Sequence, residues 1–308
     1  MKERLKTFRC TSCIFTVTFI LLFFTFAGCS KKDSSVNPEE QQKPLSGKLL
    51  YEWDLSGIHQ FDFSTMTDTK LMDGHYPSLL PDGKIVFVSS NVSISIASAD
   101  GSEQNSFLRN ADMLLISLQA SRDGNYIAFT NINSSNGVLP GTFVYKLDGT
   151  KVAEFHDLFN PSWTPDGRLV MSGSYELALK PRTTNAGGLY ITDKSLKNTS
   201  RIDPGFTEPL MPSVSPDGKQ VAFIMDKHVW KINLDGTGEL QITKGNSEEY
   251  FPSWSPDGKY IAFDGYLTCG TIGVVSSSAT TEVNDKTSYW VHSENYGYPS
   301  SNNQICWY

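Results

Sequence analysis

A chain of 308 residues and 34.2 kDa is long enough for about two average domains, or for one all-β ring. With 39% hydrophobic, 12% aromatic and 19% charged residues, 24 Gly and 15 Pro, its composition excludes a disordered chain, a coiled coil and a collagen-like fibre. A formal charge of -7 argues against a broad basic face, so no nucleic acid is expected among the partners.

Lys2, Arg4, Lys6 and Arg9 open the chain and precede an apolar run from Ile14 to Phe26. That run is 13 residues long, short of the ~20 that a membrane-spanning helix needs, and it matches the apolar centre of a signal peptide. It ends in Ala27-Gly28-Cys29, which resembles the lipobox of bacterial lipoproteins, with Phe26 where that pattern usually has Leu. The resemblance implies that residues 1–28 are a removed leader and that Cys29 becomes an acylated N-terminus. The leader carries four Lys/Arg and one Glu, so the mature charge becomes -10. Each buried CH₂ of an acyl chain contributes ~0.8 kcal/mol, and more than one chain anchors a body stably. The membrane is then reached through the lipid anchor alone.

Residues 29–46 are polar, hold two Pro and show no apolar periodicity, as a flexible tether does. Ser30 after Cys29 resembles lipoproteins sorted to the outer membrane, and Lys31-Lys32-Asp33 resembles the surface-export signal of some Bacteroidota lipoproteins. The expected address is the outer membrane, facing the periplasm or the cell surface. Cys10 and Cys13 leave with the leader, which leaves Cys269 and Cys306 in the body. An oxidising compartment permits a disulfide between them, and two unpaired buried thiols are the alternative. Two Cys do not close a zinc site, so no metal is expected through thiolates.

The body, residues 47–308, is a repeat. Asp-Gly recurs at Asp82, Asp123, Asp166, Asp217 and Asp257, in steps of 41, 43, 51 and 40 residues. The flanks repeat too: PSLLPDGKIVFVS from Pro77, LQASRDGNYIAFT from Leu118, PSWTPDGRLVMSG from Pro161, PSVSPDGKQVAFI from Pro212 and PSWSPDGKYIAFD from Pro252. A decayed sixth copy is placed at PSSNNQICWY, from Pro299. Pro fixes φ in a tight turn, Asp caps it and Gly takes the positive φ that closes it. A β-branched or aromatic strand follows each turn, and second turns stand at Asp100-Gly101, Asp148-Gly149 and Asp235-Gly236. The spacing predicts four antiparallel strands per ~40 residues, the content of a propeller blade.

These copies resemble the TolB-type, WD40-like propeller repeat, which Pro252 to Phe263 matches nearly residue for residue. The expected fold is therefore all-β, a propeller of six four-stranded blades with seven as the runner-up. The ends must meet, because an open ring leaves sheet edges unpaired. N-terminal strands near 48–53, 58–63 and 69–72 are expected to complete a last blade of which the C-terminus supplies two strands.

The Pro-Asp-Gly turns and the second Asp-Gly turns lie on one rim in this topology. The variable loops 131–142, 174–188 and 264–271 lie on the other, where a rigid ring presents binding residues. Binding-face candidates there are His75, Tyr76, Asn160, Arg182, Thr183, Glu248, Glu249, Tyr250 and Tyr298. Tyr76, Phe251 and Tyr298 also suit blade-to-blade packing, and Trp163 and Trp254 are read as inter-blade core. The sequence holds no Gly-x-Ser-x-Gly, no His-Glu-x-x-His and no phosphate-cradling loop. No catalytic residue, metal or cofactor is expected. The TolB resemblance implies a monomeric, non-catalytic scaffold for an envelope protein or lipoprotein. A glycan- or peptide-binding surface lipoprotein is the alternative, and a propeller lyase or hydrolase the third reading.

Overall fold

The computed structural model describes residues 45–53, 57–134, 137–173, 187–265, 271–284, 288–291 and 304–308. Their strands build six four-stranded antiparallel sheets. Taken round the ring from the closing sheet, blade 1 holds Ile305–Trp307, Lys48–Trp53, Gly57–Asp62 and Thr67–Met72. Blade 2 spans 75–109, blade 3 115–156, blade 4 159–201, blade 5 210–241 and blade 6 249–290. In blades 2 to 6 the first strand in sequence lies innermost. In blade 1 that place is taken by the C-terminal strand, so the two ends of the chain close the ring. Leu49 pairs with Trp307, Leu50 with Cys306 and Tyr51 with Ile305.

Two expectations are corrected here. The C-terminus supplies one strand, not two, because all three N-terminal strands are used in one blade. The sixth copy also starts later than Pro299: Cys306 pairs with Leu50 as Ser253 pairs with Ala262, which makes Gln304-Ile305-Cys306-Trp307 the counterpart of Phe251-Pro252-Ser253-Trp254.

Each strand after a Pro-Asp-Gly turn is buried on both faces, which is why it reads as an unbroken apolar run. Ile261 and Phe263 enter the core shared with blade 5, whereas Ala262 enters the core shared with blade 1. Six such clusters fill the six gaps between blades. Trp163 and Trp254 are core residues, 3% and 5% exposed, and their indoles donate across the gap to Gln119 O and Ser213 O.

The turns carry their own hydrogen bonds. Asp257 Oδ1 accepts from Ser255 Oγ at 2.7 Å and from Lys259 N at 3.1 Å, and Ser215-Asp217 and Ser121-Asp123 repeat the arrangement. Blades 2 and 4 close this hairpin one residue sooner. Leu80 N donates to Lys84 O and Thr164 N to Arg168 O, where the longer turns join Ser121 N to Tyr126 O. The Asp-Gly at Asp264-Gly265 is no turn; the strand Tyr260–Gly265 runs through it and Asp264 pairs with Ile272.

Candidate functional site

The innermost strands leave one edge each facing the axis, and an edge strand must deal with its free N–H groups. Pro77, Pro161, Pro212 and Pro252 carry no N–H there. Where an N–H remains, the Ser that follows Pro in the preceding blade answers it. Ala120 N donates to Ser78 Oγ at 2.9 Å, Val214 N to Ser162 Oγ at 3.0 Å and Trp307 N to Ser253 Oγ at 3.1 Å. Pro-Ser is thus the device that lets six edges converge on a channel.

That channel has a cavity of about 430 Å³, lined by residues of all six inner strands. The strand ends that flank the variable loops face one mouth, as the connectivity demands. There the inner strands of blades 2 to 6 each make a bulge whose central residue is left-handed: Tyr76, Ser117, Asn160, Met211 and Phe251 have φ between 49° and 51°. None is Gly, and four precede Pro, which disfavours helical backbone in the residue before it. Such conformations cost about 1 kcal/mol or more each and persist where neighbours enforce them. Side chains from the preceding blade do so. Asn160 N donates to Thr130 Oγ1 at 2.8 Å, Tyr76 N to Glu52 Oε2 at 3.4 Å and Phe251 N to Met211 Sδ at 3.5 Å. The bulges aim Ser117, Asn160, Met211 and Phe251 into the channel.

The candidates from the sequence divide accordingly. Asn160 lines the channel. His75 stands beside it, its Nδ1 2.7 Å from Glu52 Oε1; that bond raises the imidazole pKa. Burial, helped by the Glu52 charge, pushes the Tyr76 phenol up to about 12. Glu248 is bound by Lys227 and by Tyr250 Oη at 3.0 Å, and these bonds hold its carboxyl below the usual range. Glu249 is fully buried among His228, Thr243 and Ser247, so it is placed as a strut of blades 5 and 6. Cys306 carries a free thiol on the channel wall. Cys29, Arg182, Thr183, Cys269 and Tyr298 lie outside the described residues.

Sequence reasoning passed over Arg122, Gln304 and Asp264. Arg122 was visible as the one departure from Pro in the turn motif, and Gln304 was hidden by the misplaced sixth copy. Asp264 occupies the position of Thr130 in its blade but is 1% exposed, with neither oxygen hydrogen-bonded, and burial pushes its pKa up to about 8. Among the described residues no group of three or more His, Cys, Asp or Glu is placed to hold a metal.

A family model described as the TolB beta propeller domain matches residues 79–283. Among solved structures, TolB from Acinetobacter baumannii is similar at TM-score 0.65 and 15% identity, over 86% of this chain and 67% of that one. A putative TolB from Agrobacterium tumefaciens is similar at 0.60 and 14%, over 86% of this chain and 99% of that one. An oligogalacturonate lyase in complex with manganese is similar at 0.52 and 14%, over 71% and 68%. At these identities the likeness is one of fold. No curated protein sequence matches.

Proposed function

This chain belongs to the TolB beta propeller domain family, and from that premise we propose that it is a lipid-anchored, non-catalytic envelope scaffold that grips another protein with its variable rim. The observation that carries this reading is the set of left-handed bulges. Five strained residues share one geometry and three of them, Tyr76, Asn160 and Phe251, are held in it by the blade before, which supports Tyr76, Asn160, Met211 and Phe251 as a pre-organised ring. Pre-organised aromatic and Met side chains around a concave centre suit a protein surface, because ordering costs little on binding. Cys29 and the tether of residues 29–46 supply the anchor and the reach in this reading.

Site-specific photocrosslinking in cells tests it. A crosslinker at Thr183, in the loop between the strands at 169–172 and 189–192, should yield one dominant envelope protein. The same group at Asp148, exposed on the opposite rim, should yield none. Equal adducts from both, or none from an anchored and well-expressed chain, would overturn docking by the variable rim. The second outcome would move the reading to a glycan or peptide ligand. Cys29→Ala should release the body from the membrane fraction; retention there would refute the anchor.

A further inference from the structure

The opposite mouth of the channel holds a feature that protein docking does not use. The Pro of one Pro-Asp-Gly turn packs over the Gly of the next turn round the ring. A Cβ on Gly124 would meet Pro81 at 3.1 Å, one on Gly218 would meet Pro165 at 2.7 Å, and one on Gly258 would meet Pro216 at 3.9 Å. Blade 3 breaks the ring, because Arg122 stands where Pro is repeated, and nothing lies within 4 Å of a Cβ built on Gly167.

Freed from that packing, the Arg122 side chain turns into the channel and reaches across to blade 5, where Nη2 is 3.4 Å from Ser215 O. This long contact engages one of five donors. The turn aspartates do not serve it: Asp82 is paired with Lys84, Asp166 with Arg168 and Lys194, and Asp217 with Lys219. Arg122 is the one charged side chain among the described residues lining the cavity, and the walls near it are Leu80, Pro81, Pro216 and Pro256. Arg122 keeps an exposed part at the mouth, and the burial of the rest of its side chain lowers its pKa against the opposing pull of Cys306. At the far end, the Gln304 amide donates to Pro77 O and Leu118 O while its Oε1 is buried with no partner.

We propose that the channel binds a small carboxylic acid, its carboxylate held by Arg122 at the turn-side mouth and its body lying along the apolar wall toward the acceptor of Gln304. A guanidinium fork fits a planar carboxylate in two parallel bonds. A phosphate dianion is disfavoured, because among the described residues no second cation lines the cavity, the turn cations Lys84, Arg168, Lys219 and Lys259 being paired with their own aspartates. The field of a lone cation inside low-dielectric walls is focused on the axis, which draws one anion into a chain that is acidic overall. Its charged mouth lies opposite the rim that grips a protein, and its far end reaches the ring of Asn160, Met211 and Phe251 in the same cavity.

Cys306 lines the same cavity and reports on it. Iodoacetate and iodoacetamide alkylate the same thiolate, so the ratio of their rates cancels the thiol pKa and reads the preference for an anion. Peptide mapping by mass spectrometry should give a ratio at Cys306 several-fold above that for glutathione. Arg122→Gln and Arg122→Pro, the latter restoring the repeat, should each return it to the glutathione value. Equal ratios in wild type and both variants would overturn the site. Calorimetry covers a thiol that reacts with neither reagent. Hexanoate and N-acetyltriglycine represent a free acid and a peptide terminus, and at least one should bind about tenfold more tightly than its amide, the worth of one charge-assisted pair. Loss of that difference in Arg122→Gln is the expected result. Absence of binding by both acids at about 10 mM, a concentration where even a weak site shows, would overturn the proposal.

Discussion

Asp257 and Asp264 stand in one hairpin and have opposite electrostatics. Against some desolvation, bonds from Ser255 Oγ and Lys259 N hold the Asp257 carboxyl below its usual range. Asp264 receives no such bond, and burial raises its pKa to about 8. The folded value lies above the unfolded one, so the native chain binds the extra proton between about pH 4 and 8 and stability falls as pH rises through that window. Replacing Asp264 by Thr, the residue at this position in blade 3, should therefore stabilise the protein most at pH 8. The gain should be on the order of 1–3 kcal/mol, the usual penalty of an unsatisfied buried polar group, and should fade toward pH 4. Urea denaturation of both proteins at pH 4.5, 6 and 8 measures it; a gain independent of pH would refute the assignment. A turn Asp is readable from its Ser and Gly neighbours. Asp264 was not, because Asp-Gly advertises a turn and only the pairing with Ile272 shows a strand.

Between elements, the copies differ by a rule of size. The small Ala128, Ala222 and Ala262 each share a core with a Trp of the following blade, Trp163, Trp254 and Trp307. Where the strand carries Val86 or Val170, the following blade supplies Ala120 or Val214. The gap between blades 1 and 2 joins Leu50 to Leu79. A small residue on one side is met by Trp on the other in three of the gaps, so size is traded across the gap, as close packing requires. Ala128→Val should cost about 1–3 kcal/mol by overpacking against Trp163. Trp163→Ala should cost about 3–5 kcal/mol through the cavity it leaves. The double variant recreates the Val86–Ala120 pair, so its cost should fall short of the sum by at least about 0.5 kcal/mol. Strict additivity in a urea-denaturation cycle would show that the two positions do not share volume. The same rule marks what was legible in the chain. Blade number followed from five Asp-Gly copies, whereas the sixth was set by its Pro-Ser when the preceding Ala262 calls for a Trp from the next inner strand, which Trp307 supplies. The bulges were not legible at all, since Tyr76, Ser117, Asn160, Met211 and Phe251 share no residue type that announces positive φ.

At the scale of the ring, the chain runs on from each blade to the next, and its two ends meet within blade 1. The strand Ile305–Trp307 carries that junction: it pairs with Lys48–Trp53 on one side, and Trp307 N reaches Ser253 Oγ on the other. Trp307 also lies 5.1 Å from Phe63, ring centre to ring centre, and donates to Ser46 O at 2.9 Å. Trp163 is buried as deeply in the gap between blades 3 and 4, away from the meeting of the ends, 3% exposed against 7% for Trp307. Removing either indole should lower global stability by a similar ~3–5 kcal/mol. The two should differ in local opening, because parting the ends leaves the other five interfaces intact and so requires only a sub-global transition. Hydrogen exchange on Trp307→Ala should show selective loss of protection in Lys48–Trp53 and in residues 304–308, with blades 3 to 5 little changed. Trp163→Ala should lower protection evenly round the ring. If Lys48–Trp53 exchanges alike in both variants, the junction is no weaker than the rest and the ring opens as one unit. Selective opening would also expose the Lys48–Trp53 edge for pairing with a second chain, so Trp307→Ala should dimerise with rising concentration while Trp163→Ala stays monomeric.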